Sequence, residues 1–199
     1  MAIVICGAAG GGHFNPAVTF AVWLKEDNKG ANVKAMIIMM FSQLVGGFAA
    51  CLIIFLLNME HYEHKVAGYP KNLLPGVQFD NIVYWGHIML MEIFATFLFL
   101  SVILAVKYGG AEKYKGTGPL AICLTLYTMI EMGGSVSGSA FNPMIGIVLN
   151  TYGYAIKNDY YTNEGVPYEQ IKYVWIYIIG PLAGGFLAAM FNNFQEKFK

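Results

Sequence analysis

The sequence predicts an all-α membrane protein, a single bundle of spanning helices with two shorter helices that enter the membrane and turn back. Its composition, 57% hydrophobic and 12% charged, lies outside the range of ordinary soluble domains. Apolar runs of membrane-spanning length recur along the chain, and two further apolar segments each open with Asn-Pro. The 199 residues suit one integral domain covering residues 1–199. The formal net charge of zero gives no reason to expect a nucleic acid partner.

Four apolar runs predict the spanning helices. A helix rises about 1.5 Å per residue and has to cross roughly 30 Å of hydrocarbon. The runs cover residues 35–57, 83–106, 118–134 and 173–191. Small residues recur inside them, as in SQLVGGFAAC from Ser42 and GPLAGGFLAA from Gly180. Because helices in lipid approach one another at small residues, we expect these helices to pack as a bundle.

Two shorter apolar segments, residues 15–24 and 142–150, each begin with Asn-Pro. Asn is a preferred N-cap and Pro is favoured at the first helical position, so each pair predicts a helix start. A helix of about 10 residues is only about 15 Å long and is predicted to begin near the membrane centre. Non-helical backbone at that depth either packs in protein or lines a wet cavity. Ordinary capping of buried helices is one interpretation; a position beside the permeating solute is the other, for Asn15, Pro16, Ala17, Asn142, Pro143 and Met144.

Several motifs occur in a fixed order: HFNPAVTF, MEIFATF, GPLAICL, SGSAFNP and YIIGPLAGGFLAA. Together they resemble the aquaporin and aquaglyceroporin family, the major intrinsic proteins, from residue 10 to residue 191. The resemblance implies two inverted repeats, each with three spanning helices and one half-helix, whose Asn side chains donate hydrogen bonds to water or a polyol. It divides the chain into a remainder of the first repeat, a connection and a second repeat, at residues 1–58, 59–82 and 83–199.

The start of the sequence departs from the family pattern. Family members carry two spanning helices before the first half-helix, whereas only MAIVICGAA, about 14 Å of helix, precedes the glycines here. We therefore expect the first spanning helix and most of the second to be absent from these 199 residues. The first half-helix would then lose one wall. This predicts that another membrane subunit, or a further copy in a homo-oligomer such as the family's tetramer, covers residues 8–24.

The outer filter also departs from the family. The resemblance places filter positions at Ile130, Ser139 and Ile145, and Ile145 stands where most members have Arg. No Arg occurs anywhere in the sequence. Isoleucine cannot donate hydrogen bonds to a solute or repel cations as a guanidinium does. The sequence therefore predicts an apolar constriction.

Three polar residues match family positions that support the loops before the half-helices. Glu92 opens an E-x-x-x-T-F pattern, and the resemblance implies that its carboxylate holds the loop backbone of the second half-helix. Gln43 matches a packing and loop-supporting position. His13 matches the loop histidine, where a satisfied polar group is favoured over a metal ligand. Glu131 lies in an apolar span, and a pore role, a partner contact and a position at the membrane interface all stay open for it.

No pattern in the sequence indicates an enzyme. No Cys and His spacing fits a zinc site, no glycine-rich loop follows a strand, and no nucleophile and base pair is evident. We therefore expect no cofactor and no metal. The Lys distribution predicts a C-terminus in the cytosol, or in the matrix of an organelle, because eight Lys fall on its side against four on the other.

Two functions follow from these features. The first is an aquaporin-like membrane channel for passive passage of water or small neutral solutes, and the two Asn-Pro half-helices favour it. The second is a non-conducting, aquaporin-derived structural subunit of a larger membrane complex, such as one of an organellar inner membrane. The missing helices and the absent Arg favour the second. Solute identity stays open.

Overall fold

The protein folds as an all-α helical bundle in its computed structural model, as its sequence predicts. The structure describes residues 11–57, 78–79, 82–83, 85–109, 116–155 and 168–198. Among these residues the only strands are a two-residue antiparallel pair, Gln78–Phe79 with Ile82–Val83. The α-helices are α1 Pro16–Lys25, α2 Lys29–Leu57, α3 Trp85–Tyr108, α4 Gly118–Gly133, α5 Pro143–Ala155 and α6 Val174–Glu196, with a 3-10 helix at Tyr168–Tyr173 before α6.

Three of the described helices are long and apolar enough to cross a membrane, judged by length and composition. They are α2, α3 and the segment Ile171–Glu196 that contains α6. The predicted run at residues 118–134 forms α4, Gly118–Gly133, but its 16 residues reach only about 24 Å, less than the roughly 30 Å of a bilayer core. The chain turns back there, since the N–H groups of Val136 and Ser137 both bond to the carbonyl of Gly133.

Other helix boundaries also differ from the predicted ones, and α6 continues to Glu196, beyond the predicted end at residue 191. α2 starts at Lys29 instead of residue 35, because the side chain of Asn28 accepts the N–H of Ala31 and extends the helix through a polar first turn. α5 continues to Ala155, beyond the predicted end at residue 150. Most of the connection at residues 59–82, with Lys65 and Lys71, lies outside the described residues.

The centre of the fold is the close pair of α3 and α6. A Cβ atom added at Gly184 would lie 2.5 Å from the carbonyl oxygen of Ile93, and one at Gly180 would lie 2.8 Å from the Cβ of Glu92. Glycine is thus required where the two backbones approach. The first half-helix, α1, packs on this pair through a buried cluster of Ala17, Val18, Ala21, Val22, Phe99, Leu100, Leu104, Ala188 and Ala189.

An internal repeat relates α2 to α6. SQLVGGFAAC aligns with GPLAGGFLAA so that Gly46 corresponds to Gly184 and Gly47 to Gly185. A Cβ at Gly185 would contact the Ala17 carbonyl of α1, and a Cβ at Gly47 would contact Met144 of α5. The second glycine of each pair therefore contacts the half-helix of the other repeat: Gly185 of α6 faces α1, and Gly47 of α2 faces α5.

Of the three described helices of spanning length, α2 is the least buried. Of its 29 residues, all of them described, only Cys51 is buried. A Cβ added at Gly184 would meet the backbone of α3, whereas a Cβ added at the corresponding Gly46 would have no described neighbour within 4 Å. A groove of about 660 Å³ runs along this side, and its lining includes Met39, Gln43 and Ala50.

The prediction that a bare surface lies at residues 8–24 needs correction. Six of the ten residues of α1 are buried by the chain's own helices, chiefly α6 and α2. Phe14, before the helix, is the large apolar side chain left exposed on the described part of this segment. Residues 8–10 lie outside the described residues. The half-helix keeps its cover because its small residues fit against α6.

Candidate functional site

Each Asn-Pro pair starts a helix through the same local bonds. Asn15 is the N-cap of α1, and its Oδ1 accepts the N–H of Ala17 at 2.8 Å. The Oδ1 of Asn142 accepts the N–H of Met144 at 3.0 Å. Pro16 and Pro143 occupy the first helical positions, where proline costs no hydrogen bond. Both Asn side chains therefore have their oxygen turned to their own helix and their amide nitrogen turned away from it.

The two half-helices meet at their N-termini through reciprocal hydrogen bonds. The Nδ2 of Asn15 donates to the carbonyl of Phe141 at 2.8 Å, and the Nδ2 of Asn142 donates to the carbonyl of Phe14 at 3.0 Å. A side-chain amide has two N–H donors, and neither amide has a second acceptor among the described residues. One free donor from each repeat is thus left at the meeting point. Each helix N-terminus adds about half a positive charge there.

The loop before the second half-helix has an unusual backbone. Ser139 has φ of 58° and Phe141 has φ of 46°, in the left-handed region that side chains other than glycine rarely occupy. Such conformations persist only where the surrounding structure holds them. Because the Phe141 carbonyl accepts the Asn15 amide, this backbone conformation determines the position of that acceptor.

Glu92 holds this loop. Its fully buried carboxylate accepts the hydroxyl of Ser137 at 2.7 Å and the N–H of Ala140 at 3.1 Å on Oε1. Its Oε2 accepts the N–H of Phe141 at 2.8 Å. Three donors thus converge on one carboxylate from α3, and they include the amide next to Asn142.

The loop before the first half-helix is held by α2. The Nε2 of Gln43 donates to the His13 carbonyl at 2.7 Å and to the Thr19 hydroxyl at 2.9 Å. The Gln43 Oε1 is buried with no partner in the described part of the chain. Gln43 therefore joins the loop, α1 and α2 with its two donors.

His13 contacts a cation through its ring. Its Nε2 lies 3.3 Å from the Nζ of Lys107, and its Nδ1 is buried without a partner among the described residues. Burial, together with the Lys107 charge, lowers the pKa of His13 to about 4, so the ring is neutral at physiological pH. The described residues contain no group of three or more His, Cys, Asp or Glu side chains that could hold a metal ion.

The three residues at filter-equivalent positions, Ile130, Ser139 and Ile145, do not all lie together in the structure. The hydroxyl of Ser139 donates to the carbonyl of Ile130 at 2.8 Å, so it is bonded to backbone. Ile130 is 42% exposed on α4, and Glu131 beside it is also exposed. Ile145 packs, partly buried, against a separate cluster that contains Ile88, Ala140, Ile176 and Tyr177. The structure therefore brings Ser139 and Ile130 together and places Ile145 on α5 against α3 and α6.

Sequence reasoning missed Tyr177, which contacts the same loop. Its hydroxyl donates to the carbonyl of Ser137 at 2.6 Å, and both residues are fully buried. A tyrosine within an apolar run is typical of a packed core, so nothing in the sequence indicated that Tyr177 contacts the loop. Lys107 was also missed as a contact of His13, because the two residues are 94 positions apart.

These features define a class: multi-pass helical membrane proteins in which two half-helices meet head to head, each held by the long helix of the other repeat. The family model of the major intrinsic proteins matches residues 1–192, and the chain belongs to that family. This confirms the resemblance found in the sequence. Since members of the family are membrane channels, the chain is an integral membrane protein and not an enzyme.

Similar proteins come from bacteria, archaea and plants. The chain is 33% identical over 190 residues to Aquaporin AqpM of Methanothermobacter marburgensis, covering 94% of this chain and 69% of that protein. It is 26% identical over 200 residues to the probable glycerol uptake facilitator protein of Thermotoga maritima, covering 97% and 78%. It is 26% identical over 201 residues to the glycerol uptake facilitator protein of Bacillus subtilis, covering 97% and 66%.

Proposed function

We propose that the protein is a passive channel for water or small neutral solutes, with its centre where Asn15 and Asn142 meet. The observation that carries this proposal is the reciprocal bonding of the two amides, which leaves one free donor from each repeat at one point. The names of the relatives, aquaporins and glycerol facilitators, support the choice of solutes.

The two donors also account for the exclusion of charge. A water molecule that accepts hydrogen bonds from both amides is held by its oxygen, so it cannot accept a proton from the next water in a chain. Two helix N-termini, each with about half a positive charge, raise the energy of any cation at the same point. A neutral solute with an oxygen acceptor meets neither barrier.

The outer part of the pathway is proposed to select by size and polarity. The sequence has no Arg, so no guanidinium acts at the filter positions, and the Ser139 hydroxyl already donates its proton to the carbonyl of Ile130. Ion exclusion then rests on the helix N-termini and on an apolar region near Ile130, where water can be expelled. Glu92, Gln43 and His13 are proposed to support the two loops. The cytosolic or matrix side for the C-terminus stays a proposal from the Lys distribution.

Reconstituted liposomes test the channel. We expect water or glycerol flux above that of empty liposomes, and a loss of about tenfold in Asn15→Leu or Asn142→Leu, since each removes a hydrogen-bond donor from the pathway. Asn32→Leu is the matched control, because its amide bonds to Glu26 at the start of α2, away from the meeting point.

The second candidate is a structural subunit, and the exposed apolar face of α2 favours it. Purified, folded protein that gives no more flux than empty liposomes would support this candidate and remove the channel. Under either function we propose that a further membrane-spanning helix packs on α2, because the equivalent face of α6 is filled by α3.

A further inference from the structure

Tyr177 contacts both parts of the second half-helix motif. Its hydroxyl donates to the Ser137 carbonyl, at the start of the loop that leads to Asn142. The base of its side chain packs against α5, where a Cβ added at Gly146 would lie 2.3 Å from the Cβ and 3.1 Å from the Cγ of Tyr177. Only 1% of Tyr177 is exposed. One side chain of α6 therefore touches the segment before Asn142 and the helix after it.

Ser137 is held from two sides. Its hydroxyl donates to Glu92 of α3 and its carbonyl accepts from Tyr177 of α6, while its N–H bonds to the Gly133 carbonyl at 2.8 Å. The positive φ angles of Ser139 and Phe141 follow within four residues. Because such a backbone needs external support, the fixed Ser137 is where the conformation of this loop begins.

We propose that Tyr177 is a positioning residue that sets the height of Asn142 and of the Phe141 carbonyl relative to Asn15. The Cβ and Cγ of Tyr177 limit how closely α5 approaches α6, and the hydroxyl holds the loop against the same helix. The two contacts together determine the separation between the free amide donors. This inference rests on the proposed function, and it adds a residue whose effect on selectivity is separate from its effect on folding.

Tyr177→Phe isolates the hydroxyl, since the ring and its packing on Gly146 remain. The Ser137 carbonyl then loses a buried donor, and a buried unpaired carbonyl favours local opening of the loop. The Phe141 carbonyl moves with the loop, so the Asn15 amide loses its fixed acceptor. The positions of the two amide donors then vary, and their hydrogen bonds to the solute become less directional. We expect the glycerol-to-water permeability ratio to change by about threefold or more and the proton leak to rise.

The experiment compares wild type, Tyr177→Phe and Tyr127→Phe in liposomes, with thermal unfolding measured on each. Tyr127 is the matched control because it is 63% exposed on α4. Gly146→Ala is a second variant, which retains the hydroxyl but pushes the ring from the other side, and it is expected to change the same ratio. Hydrogen exchange of residues 137–142 is measured in parallel, and we expect it to rise about tenfold in Tyr177→Phe and to stay unchanged in Tyr127→Phe.

The outcomes separate this inference from the proposed function. Wild-type flux equal to that of empty liposomes removes the channel, but the exchange of residues 137–142 still decides whether Tyr177 positions the loop. Unchanged exchange in Tyr177→Phe overturns the inference whatever the flux. In a conducting protein, a Tyr177→Phe variant with wild-type solute ratio and proton leak, or with flux reduced only in proportion to folded protein, also overturns it.

Discussion

Three donors converge on the carboxylate of Glu92, and this makes one side chain decisive for the loop that carries Asn142. The hydroxyl of Ser137 and the amide of Ala140 share one oxygen, and the amide of Phe141 takes the other. A buried donor that loses its acceptor costs more than a formed bond contributes. The carboxylate thus stabilises a backbone that Ser139 and Phe141 would not adopt alone.

Glu92→Gln is expected to destabilise the protein by about 1–3 kcal/mol. The amide oxygen can keep two of the donors, but the amide nitrogen then faces the N–H of Phe141, a donor against a donor. Thermal unfolding in detergent measures the change. Glu131→Gln is the matched control because its side chain is exposed, and equal melting temperatures for the two variants would contradict the supporting role of Glu92.

His13 predicts how stability depends on pH. Its pKa in the folded chain, about 4, is below the ordinary value of 6.5, so the unfolded chain binds more protons between these values. The contribution of His13 to stability is therefore fully present above pH 6.5 and is lost as pH falls toward 4. We expect the melting temperature of wild type to fall over this range more steeply than that of His13→Gln. Parallel pH profiles for the two proteins would show that the ring does not titrate in this way.

The sequence predicted where helices begin better than it predicted which side chains contact one another. Asn-Pro predicted the starts of α1 and α5 to within a residue, because capping is local chemistry. The bounds of α4 were also predicted to within one residue, but the turn at Gly133 and the bond from Ser139 that end the helix were not. In the candidate site, the motif at Glu92 singled out a carboxylate that does bond to the loop backbone. Tyr177 and Lys107 were not predictable, because their partners are distant in sequence.

The internal repeat provides a matched pair of glycines on two helices. Gly184→Ala is expected to destabilise the isolated chain by about 1–3 kcal/mol, because the added Cβ would lie 2.5 Å from the Ile93 carbonyl and force α3 and α6 apart. Gly46→Ala, the same change at the corresponding position of α2, meets no described atom within 4 Å. We expect it to leave the melting temperature of the isolated chain unchanged or slightly raised. Equal losses from both substitutions would contradict the packing described for α6.

Among the described helices long enough to span a membrane, α2 is the one least covered by the rest of the chain. The exposed residues of α2 are largely apolar, as they are on a lipid-facing helix, but Gln43 also lines the groove beside Gly46, and its buried Oε1 has no partner among the described residues. A buried acceptor without a donor is costly in a membrane, where water cannot satisfy it. The corresponding glycine of α6, Gly184, lies where the backbone of α3 approaches closely, so a helix with small residues fits the same approach at Gly46.

Cysteine substitution in the native membrane distinguishes lipid from protein on α2. In a background without the three native cysteines, Gly46→Cys is expected to be shielded from a lipid-soluble maleimide and to crosslink to protein, because a further helix lies against it. Val45→Cys is the matched control, since it is the adjacent residue, about 100° around the helix, and 52% exposed. We expect Val45→Cys to react freely. The mass of the crosslinked species then shows whether the covering helix belongs to the same polypeptide, to a second copy or to another subunit. Equal reaction of both cysteines with the lipid-soluble probe, and no crosslink from either, would mean that lipid covers this face and that the repeat is left unfilled.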